Sequence, residues 1–311
     1  MKANIGIIVV FAISQCSSVF GAASFFGIGD LQGGPFDSSI NAVNSDGTVF
    51  VGTGTSGSGA EAFVWTRSNG FQGLGNLPGG LGSFGNGVSA DGRFVVGHCT
   101  TASGNTAFLW NKLTGMVALP RLPGGSQATA LDVSADGWVV VGGSDSIEST
   151  DGNMEAARWD LGVVSAIGDL PGGSVEGIAQ AISDSGSVIA GYSISGDGLE
   201  AFRWSQPDGL QGLGDLPTNP FSLISEAMAL SASGQYIAGY ARGKSGYYEA
   251  ALWDEHQDIS SMGRQSPDLY GTFANGVSND GSVVVGESNG RAFIWTEANG
   301  LVDLKDSLQQ K

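Results

Sequence analysis

The pattern that decides the fold is Val88-Ser89-Ala90-Asp91-Gly92-Arg93-Phe94-Val95-Val96-Gly97. An Asp-Gly pair between two apolar runs is typical of a tight β-hairpin, because glycine adopts the positive φ angles of such a turn without steric cost. This stretch therefore predicts two short antiparallel strands that meet at Asp91 and Gly92.

The same pattern occurs six times along the chain. The turn glycines follow one another at intervals of 45, 45, 49, 48 and 47 residues: Gly47, Gly92, Gly137, Gly186, Gly234 and Gly281. A tryptophan marks the third element of each copy: Trp65, Trp110, Trp159, Trp204, Trp253 and Trp295. Copies in such regular succession indicate a repeat protein. These twelve positions are therefore interpreted as structural positions of a repeat unit of about 47 residues.

Each repeat unit contains a second predicted hairpin and ends in a strand breaker. In the first unit it joins residues 62–65 to 71–74, and Leu77-Pro78-Gly79-Gly80 then interrupts the strand. The strand 61–65 has apolar side chains on both faces, which is typical of a sheet covered on both sides. In a ring of blades every sheet lies between two neighbours. The sequence therefore predicts an all-β β-propeller of six four-stranded blades, with a β-solenoid as the alternative.

The two ends of the chain carry further signals. Lys2, the apolar run 5–13 and small residues at 21–24 form the pattern of a secretory signal peptide, and the run is too short to cross a bilayer. We expect residues 1–23 to be removed and residues 24–311 to form a single repeat domain outside the cytoplasm, extracellular or periplasmic. Residues 28–34 repeat the last strand of a unit, and strands from both termini are hypothesised to complete one shared blade.

The charge balance excludes some partners. The chain has 13 Lys and Arg against 30 Asp and Glu, a net charge of −17. Without a basic surface it is not expected to bind nucleic acid, and it has no second apolar run that would span a membrane.

Its two histidines, His98 and His256, are too few for a histidine-based triad or a multi-histidine zinc site. We therefore predict no catalytic residue, no cofactor and no metal.

Two sets of acidic residues are weaker candidates. The first lies in one loop and has oxygen ligands that suit Ca²⁺, although the twelve-residue calcium-loop pattern is absent: Asp145, Glu148, Asp151, Asn153 and Glu155. The second occupies one slot four residues before the tryptophan: Glu61, Glu155, Glu200 and Glu249 in the copies that carry it. The alternatives are a solvated loop for the first set and charges that blunt strand edges for the second. Arg158 and Arg203 replace apolar residues on one strand face, where long side chains are expected to reach solvent.

Two short motifs imitate enzyme signatures. Residues 52–57 match a dinucleotide fingerprint, and Gly286-Glu287-Ser288-Asn289-Gly290 matches a nucleophile elbow. Both signatures require a helix after the motif, and here another strand is predicted. They are interpreted as loops of the repeat.

The units 133–137, 200–204 and 213–217 resemble the HAF-type extracellular repeat family of bacteria, and the resemblance extends over residues 26–304. It implies an exported bacterial protein and defines no catalytic residue. We expect a monomeric, secreted, non-enzymatic module for binding, adhesion or extracellular structure, with a glycan or a protein as its ligand. The alternatives are a secreted glycan-active hydrolase or lyase that uses the repeated glutamates, and a calcium-dependent adhesin that uses the acidic loop.

Overall fold

The computed structural model describes residues 27–149, 152–217, 223–263 and 271–309, so the predicted signal peptide lies outside the described residues. Within these ranges the chain forms 24 strands and one short helix, α1 (Leu304–Gln309). The all-β prediction is confirmed.

The strands follow one another in six groups of four, which we call units 1 to 6. Units 1 and 2 contain β1 (Ser39–Val43), β2 (Val49–Ser56), β3 (Gly59–Thr66), β4 (Gly70–Gly73), β5 (Gly80–Val88), β6 (Phe94–Thr101), β7 (Gly104–Asn111) and β8 (Gly115–Ala118). Units 3 and 4 contain β9 (Ala128–Val133), β10 (Val139–Ser144), β11 (Glu155–Asp160), β12 (Val163–Ala166), β13 (Gly172–Ile182), β14 (Val188–Ser195), β15 (Gly198–Ser205) and β16 (Gly209–Gly212). Units 5 and 6 contain β17 (Leu223–Leu230), β18 (Ile237–Arg242), β19 (Tyr248–Trp253), β20 (Ile259–Ser261), β21 (Thr272–Val277), β22 (Val283–Ser288), β23 (Arg291–Thr296) and β24 (Gly300–Asp303).

Strands within a unit are antiparallel and lie side by side in chain order. Units 4 and 5 are also joined by a short parallel pairing of β15 with β17, where Gly198 pairs with Leu223. The first strand of each later unit contacts the first three strands of the unit before it. Four-stranded antiparallel sheets that pack face to face in succession are the arrangement of propeller blades.

The core lies between successive units. At the first junction Val51 and Ala62 of unit 1 pack with Val95 and Phe108 of unit 2, and Leu77 from the loop between the units fills the same cluster. These five side chains are buried. Phe63 and Trp65, on the other face of the same strand, are buried as well, so both faces are covered as the alternation of residues 61–65 predicts.

Tryptophan links successive units by a hydrogen bond as well as by packing. Trp159 and Trp253 are fully buried. The Trp159 indole donates to the Pro120 carbonyl at 2.6 Å, and the Trp253 indole donates to the Leu213 carbonyl at 3.1 Å. Both acceptors belong to the loop that follows the preceding unit, so each indole holds that loop against the next sheet.

The first strand of every unit contains a β-bulge at the same place. The bulged residues are Asn41, Asn86, Leu131, Gln180, Met228 and Asn275. Beside each bulge stands the glycine that follows the turn glycine by five residues, such as Gly142 in unit 3. A Cβ atom on Gly142 would collide with the Thr129 carbonyl oxygen and lie 3.0 Å from Ala130 Cα. Glycine is required there because the neighbouring strand comes too close for any side chain.

The amino-terminal segment packs on unit 1 but adds no strand to unit 6. Ile28 and Leu31 cover Phe50, Phe63 and Trp65, much as Leu77 covers the next unit. In the described ranges no sheet combines strands from the two ends. The hypothesis of one shared blade is therefore wrong, since each sheet is completed by consecutive strands.

The end of the array differs from its interior. Val285 in unit 6 is 38% exposed, whereas the equivalent Val51, Val96 and Val141 are fully buried. A closed ring of six blades would cover all four alike. The exposed Val285 shows that unit 6 is not covered as the interior units are. A closed ring of six blades therefore stays a prediction.

Candidate functional site

One cross-strand pair has different chemistry in every unit, and we call it the variable pair. One member stands six residues after the turn glycine, and the other faces it on the first strand. The pairs are Ser39 with Thr53, Phe84 with His98, Thr129 with Gly143, Ile178 with Tyr192, Glu226 with Tyr240 and Phe273 with Glu287. The residue opposite on the third strand is instead alanine in all six units: Ala62, Ala107, Ala156, Ala201, Ala250 and Ala292.

The variable pairs share one place in the repeat, beside the bulge and on its side away from the Asp-Gly turn. Bulges commonly occur where a side chain must be aimed at a site. Packing requires similar residues in every copy, as it does at the constant alanine. A pair that changes in each copy is instead available for contact with a ligand in those units where neighbouring side chains do not fill the face. The variable pairs therefore define the candidate ligand face.

A cleft opens on this face between units 1 and 2. Its volume is about 330 Å³, at the lower end of the range of small-molecule sites, roughly 300–1,000 Å³. The polar and aromatic side chains that line it are Asp37, Ser39, Asn41, Thr53, Thr55, Phe84, Asn86 and His98. The cleft thus contains the variable pairs of both units.

The two asparagines of the cleft are bulged residues with fixed orientations. Asn41 Nδ2 donates to the Gly85 carbonyl at 2.8 Å, and Asn86 Nδ2 donates to the Ala130 carbonyl at 2.8 Å. Each bond joins one unit to the next. Each amide keeps its Oδ1 as a further acceptor, so the bulge builds both the junction and part of the cleft wall.

An aromatic pair forms another wall of the cleft. The Phe84 and His98 rings are stacked, with centroids 4.8 Å apart and planes 9° apart. Burial lowers the pKa of His98, so the imidazole is neutral at pH 7. A neutral imidazole has one donor and one acceptor nitrogen, and Nδ1 lies 3.5 Å from Asn86 Nδ2.

Thr53 carries an unsatisfied polar atom in the cleft. Its Oγ1 is buried and has no hydrogen-bond partner among the described residues. A buried hydroxyl without a partner destabilises a protein by about 1–3 kcal/mol. Such an atom in a cleft wall is a place for a hydrogen bond from outside the chain.

Between units 4 and 6 the same face is filled by its own side chains. Tyr240 donates to Glu226 at 2.6 Å, and Gln180 donates to the other carboxylate oxygen at 2.8 Å. The Tyr240 ring lies 5.1 Å from those of Tyr248 and Phe273. Burial and the Glu226 carboxylate raise the pKa of Tyr240 above its usual range. These contacts cross-link three units.

The repeated glutamates are used inside their own units. Glu61 Oε1 accepts from the Gly75 amide at 2.9 Å, and Glu200 Oε1 accepts from the Gly214 amide at 3.1 Å. Each carboxylate thereby ties the loop after the fourth strand to the third strand. This glutamate position is therefore structural in these two units. The partner in each bond is a backbone amide and not the second carboxylate that acid–base catalysis would require.

In unit 3 the equivalent glutamate, Glu155, is only 5% exposed. Its burial raises its pKa. In unit 5 Ser261 Oγ donates to Glu249 at 2.5 Å.

Two side chains of the acidic loop bond to residues elsewhere in the chain. Asp145 accepts from the Ser126 and Gln127 amides at 2.8 and 2.7 Å, and Asn153 donates to Glu176 at 2.9 Å. Asp151 lies outside the described residues. In the described ranges no three His, Cys, Asp or Glu side chains are arranged to hold a metal ion.

The serine of the elbow-like motif occupies a structural slot. Ser288 is fully buried. The equivalent Ser144 and Ser193 accept from the Leu122 and Leu170 amides at 3.1 and 3.2 Å. These bonds hold the leucine loop of the preceding unit.

In unit 2 the same slot holds Cys99, whose Sγ accepts from the Leu77 amide at 3.4 Å. Cys99 stands two residues after Gly97, as Ser144 does after Gly142, so the repeat register alone marks it as a structural residue.

The remaining predicted candidates lie apart from the cleft. The Arg158 guanidinium pairs with Asp160 at 3.0 Å, and its Cζ lies 5.1 Å from the centre of the Trp204 ring, so a carboxylate and an aromatic ring both hold its charged end. Arg203 lies 3.9 Å from Asp208. His256 is exposed in a turn of unit 5. Of the two histidines, only His98 belongs to the candidate site.

The comparisons with known proteins establish the fold. No protein-family model and no curated protein sequence matches the chain. Among solved structures it resembles TolB from Acinetobacter baumannii (15% identity, 83% of this chain and 63% of that one, TM-score 0.56). It also resembles a putative TolB from Agrobacterium tumefaciens (12% identity, 76% and 85%, TM-score 0.52) and the β-propeller domain of Cps50 (Swd1) from Myceliophteria thermophila (12% identity, 86% and 87%, TM-score 0.51).

The chain thus spans less than two thirds of the Acinetobacter protein. At these identities the likeness concerns the fold alone, and the β-propeller prediction is confirmed. Over the described ranges the structure has no helix with the length and apolarity needed to cross a membrane.

Proposed function

We propose that the chain is an exported, non-enzymatic repeat protein of the HAF type that binds an extracellular ligand through its variable pairs. The observation that carries this proposal is the contrast within each unit between a variable pair and the constant alanine beside it. A scaffold with a purely structural role has no need for a different pair in every unit.

The location rests on the predicted signal peptide, residues 1–23, whose removal would also take away Cys16. Cys99 would be the one remaining cysteine, and it is buried and unpaired. The structure therefore relies on its core and not on disulfide bonds. The acidic surface favours neutral or basic ligands.

A binding array of glycans and extracellular proteins, probed with the purified chain, tests the proposal. Variants at the ligand face, Phe84→Ala and Tyr192→Ala, are expected to lose signal on the same ligands. The control is Leu113→Ser, which changes a side chain that is 96% exposed at the opposite end of unit 2. The proposal fails if the bound ligands are retained by both face variants, or if the array gives no ligand.

The hydrolase or lyase alternative has a separate readout. It predicts release of reducing or unsaturated sugar ends from a bound glycan, and that release should disappear in Glu200→Gln. The bond from the Gly214 amide to Glu200 predicts instead a variant that is less stable and otherwise unchanged in binding.

A further inference from the structure

We propose that the cleft between units 1 and 2 binds a neutral sugar residue of a glycan. This inference rests on the proposed function, because it names the ligand class of one part of the ligand face.

The hydrogen-bonding chemistry of the cleft favours a ligand rich in donors. Asp37 supplies a carboxylate, and the amides of Asn41 and Asn86 supply acceptor oxygens. None of the described side chains that line the cleft is a lysine or an arginine. A phosphate or carboxylate ligand would thus meet acceptors and negative charge, whereas sugar hydroxyls can donate to them.

The orphaned hydroxyl of Thr53 points independently to a ligand. Its partner across the strands is Ser39, which also lines the cleft. Thr53 Oγ1 nevertheless has no partner among the described residues. A hydroxyl group of a bound sugar can either donate to it or accept from it, and either bond would remove the penalty of its burial.

The aromatic wall of the cleft complements the apolar faces of a sugar ring. A pyranose ring has hydroxyl groups at its rim and apolar C–H groups on its faces. The stacked Phe84 and His98 rings place apolar area next to polar groups within one cleft. Small-molecule sites combine these two kinds of surface.

The cleft is also organised before any ligand arrives. The bonds from Asn41 to Gly85 and from Asn86 to Ala130 fix both amides. A rigid site loses less side-chain freedom on binding. Its volume of about 330 Å³ suits one small ring and excludes a folded protein domain.

The experiment titrates the purified full chain with glucose, galactose, mannose and N-acetylglucosamine, and with glucuronate as the anionic comparison, by ligand-observed NMR. We expect saturable binding of at least one neutral sugar and none of glucuronate. Thr53→Val should weaken that binding about tenfold, the effect of one lost hydrogen bond of about 1.4 kcal/mol.

The same variant has a second readout that separates binding from misfolding. Because valine removes a buried, unpaired hydroxyl, Thr53→Val should unfold at the same or a higher temperature than the parent chain. His98→Ala should also lose binding, and Leu113→Ser should keep it. A variant that loses both stability and binding contradicts the assignment of Thr53.

Three outcomes are distinct. If no neutral sugar binds but the array finds a ligand that depends on the face variants, the sugar inference fails and the proposed function stands. If a sugar binds with equal strength to the Thr53 and His98 variants, the cleft is not its site and the inference fails. If neither experiment finds a ligand, both proposals fail.

Discussion

Replacement of Gly142 by alanine tests whether the glycine beside each bulge is required by close packing of backbone. Gly142 lies in the fully buried strand β10. Its new Cβ would overlap the Thr129 carbonyl oxygen and lie 3.0 Å from both Thr129 C and Ala130 Cα. All three atoms are backbone, so no side chain can turn away. Overpacking of this kind costs about 1–3 kcal/mol, and the loss of a strand hydrogen bond adds about 1 kcal/mol.

We therefore expect Gly142→Ala to lower the free energy of unfolding by about 3 kcal/mol. Since 1 kcal/mol shifts the melting temperature of a large domain by about 2–4 °C, the transition should fall by about 6–12 °C. Circular dichroism during urea and thermal unfolding measures both quantities.

The matched control is Gly209→Ala. Its Cβ would meet nothing within 4 Å, but its φ of +71° is left-handed, which costs an alanine about 1–2 kcal/mol. If Gly142→Ala proves no more destabilising than Gly209→Ala, the explanation by close packing is refuted, and the recurrence of glycine beside each bulge has another cause.

Three further predictions concern single side chains. Burial raises the pKa of Asp132 to about 7, so the folded chain keeps a proton that the unfolded chain releases above pH 3.8. The free energy of unfolding should therefore fall as the pH rises from 4 to 7, by at most about 4 kcal/mol. Asp132→Asn should remove this fall from the urea midpoints measured across that pH range. An unchanged pH dependence in the variant contradicts the assignment. Leu161 is 70% exposed and has a φ of 49° beside Gly162 in a two-residue turn. Asparagine adopts such a φ more easily than leucine, so Leu161→Asn should raise the free energy of unfolding in urea titrations by about 1 kcal/mol. A lower free energy of unfolding in the variant would argue against this turn. Cys99 is fully buried and its pKa is raised by burial, so a thiol reagent should label it only after urea unfolds the chain; rapid labelling of the native chain would contradict this.

The sequence was sufficient for the architecture because the architecture is repeated. An Asp-Gly pair and a spaced tryptophan are local signals, and six copies make each one unambiguous. The strand pattern around Trp65 also predicts burial on both faces, which Ala62 displays at the first junction and Phe63 on the opposite face. The bulge has no comparable signal, because an unpaired residue such as Asn86 is visible only once the register of two strands is known.

The candidate site was missed for a related reason. A repeat pattern marks the positions that the six copies share, and the variable pair is the place where they differ. His98 stands out in the sequence as one of two histidines, but nothing there marks its partner Phe84, since the two are 14 residues apart and meet only through strand pairing. Conversely, Glu61 and Glu200 looked functional because they recur, and their repetition reflects a bond to the loop backbone.

The separation of the variable pair from the constant alanine has a consequence for how this protein can change. A substitution at His98 or Tyr192 leaves the alanine beside it, the glycine and the interior of the sheet untouched. Duplicated units can therefore diverge in what they recognise while they go on folding alike. A designer can exchange the pairs of units 1 and 2 as one binding site, whereas the pairs of units 5 and 6 have to change together because Tyr240 packs against Phe273. A library of new specificities would in either case be confined to these pair positions.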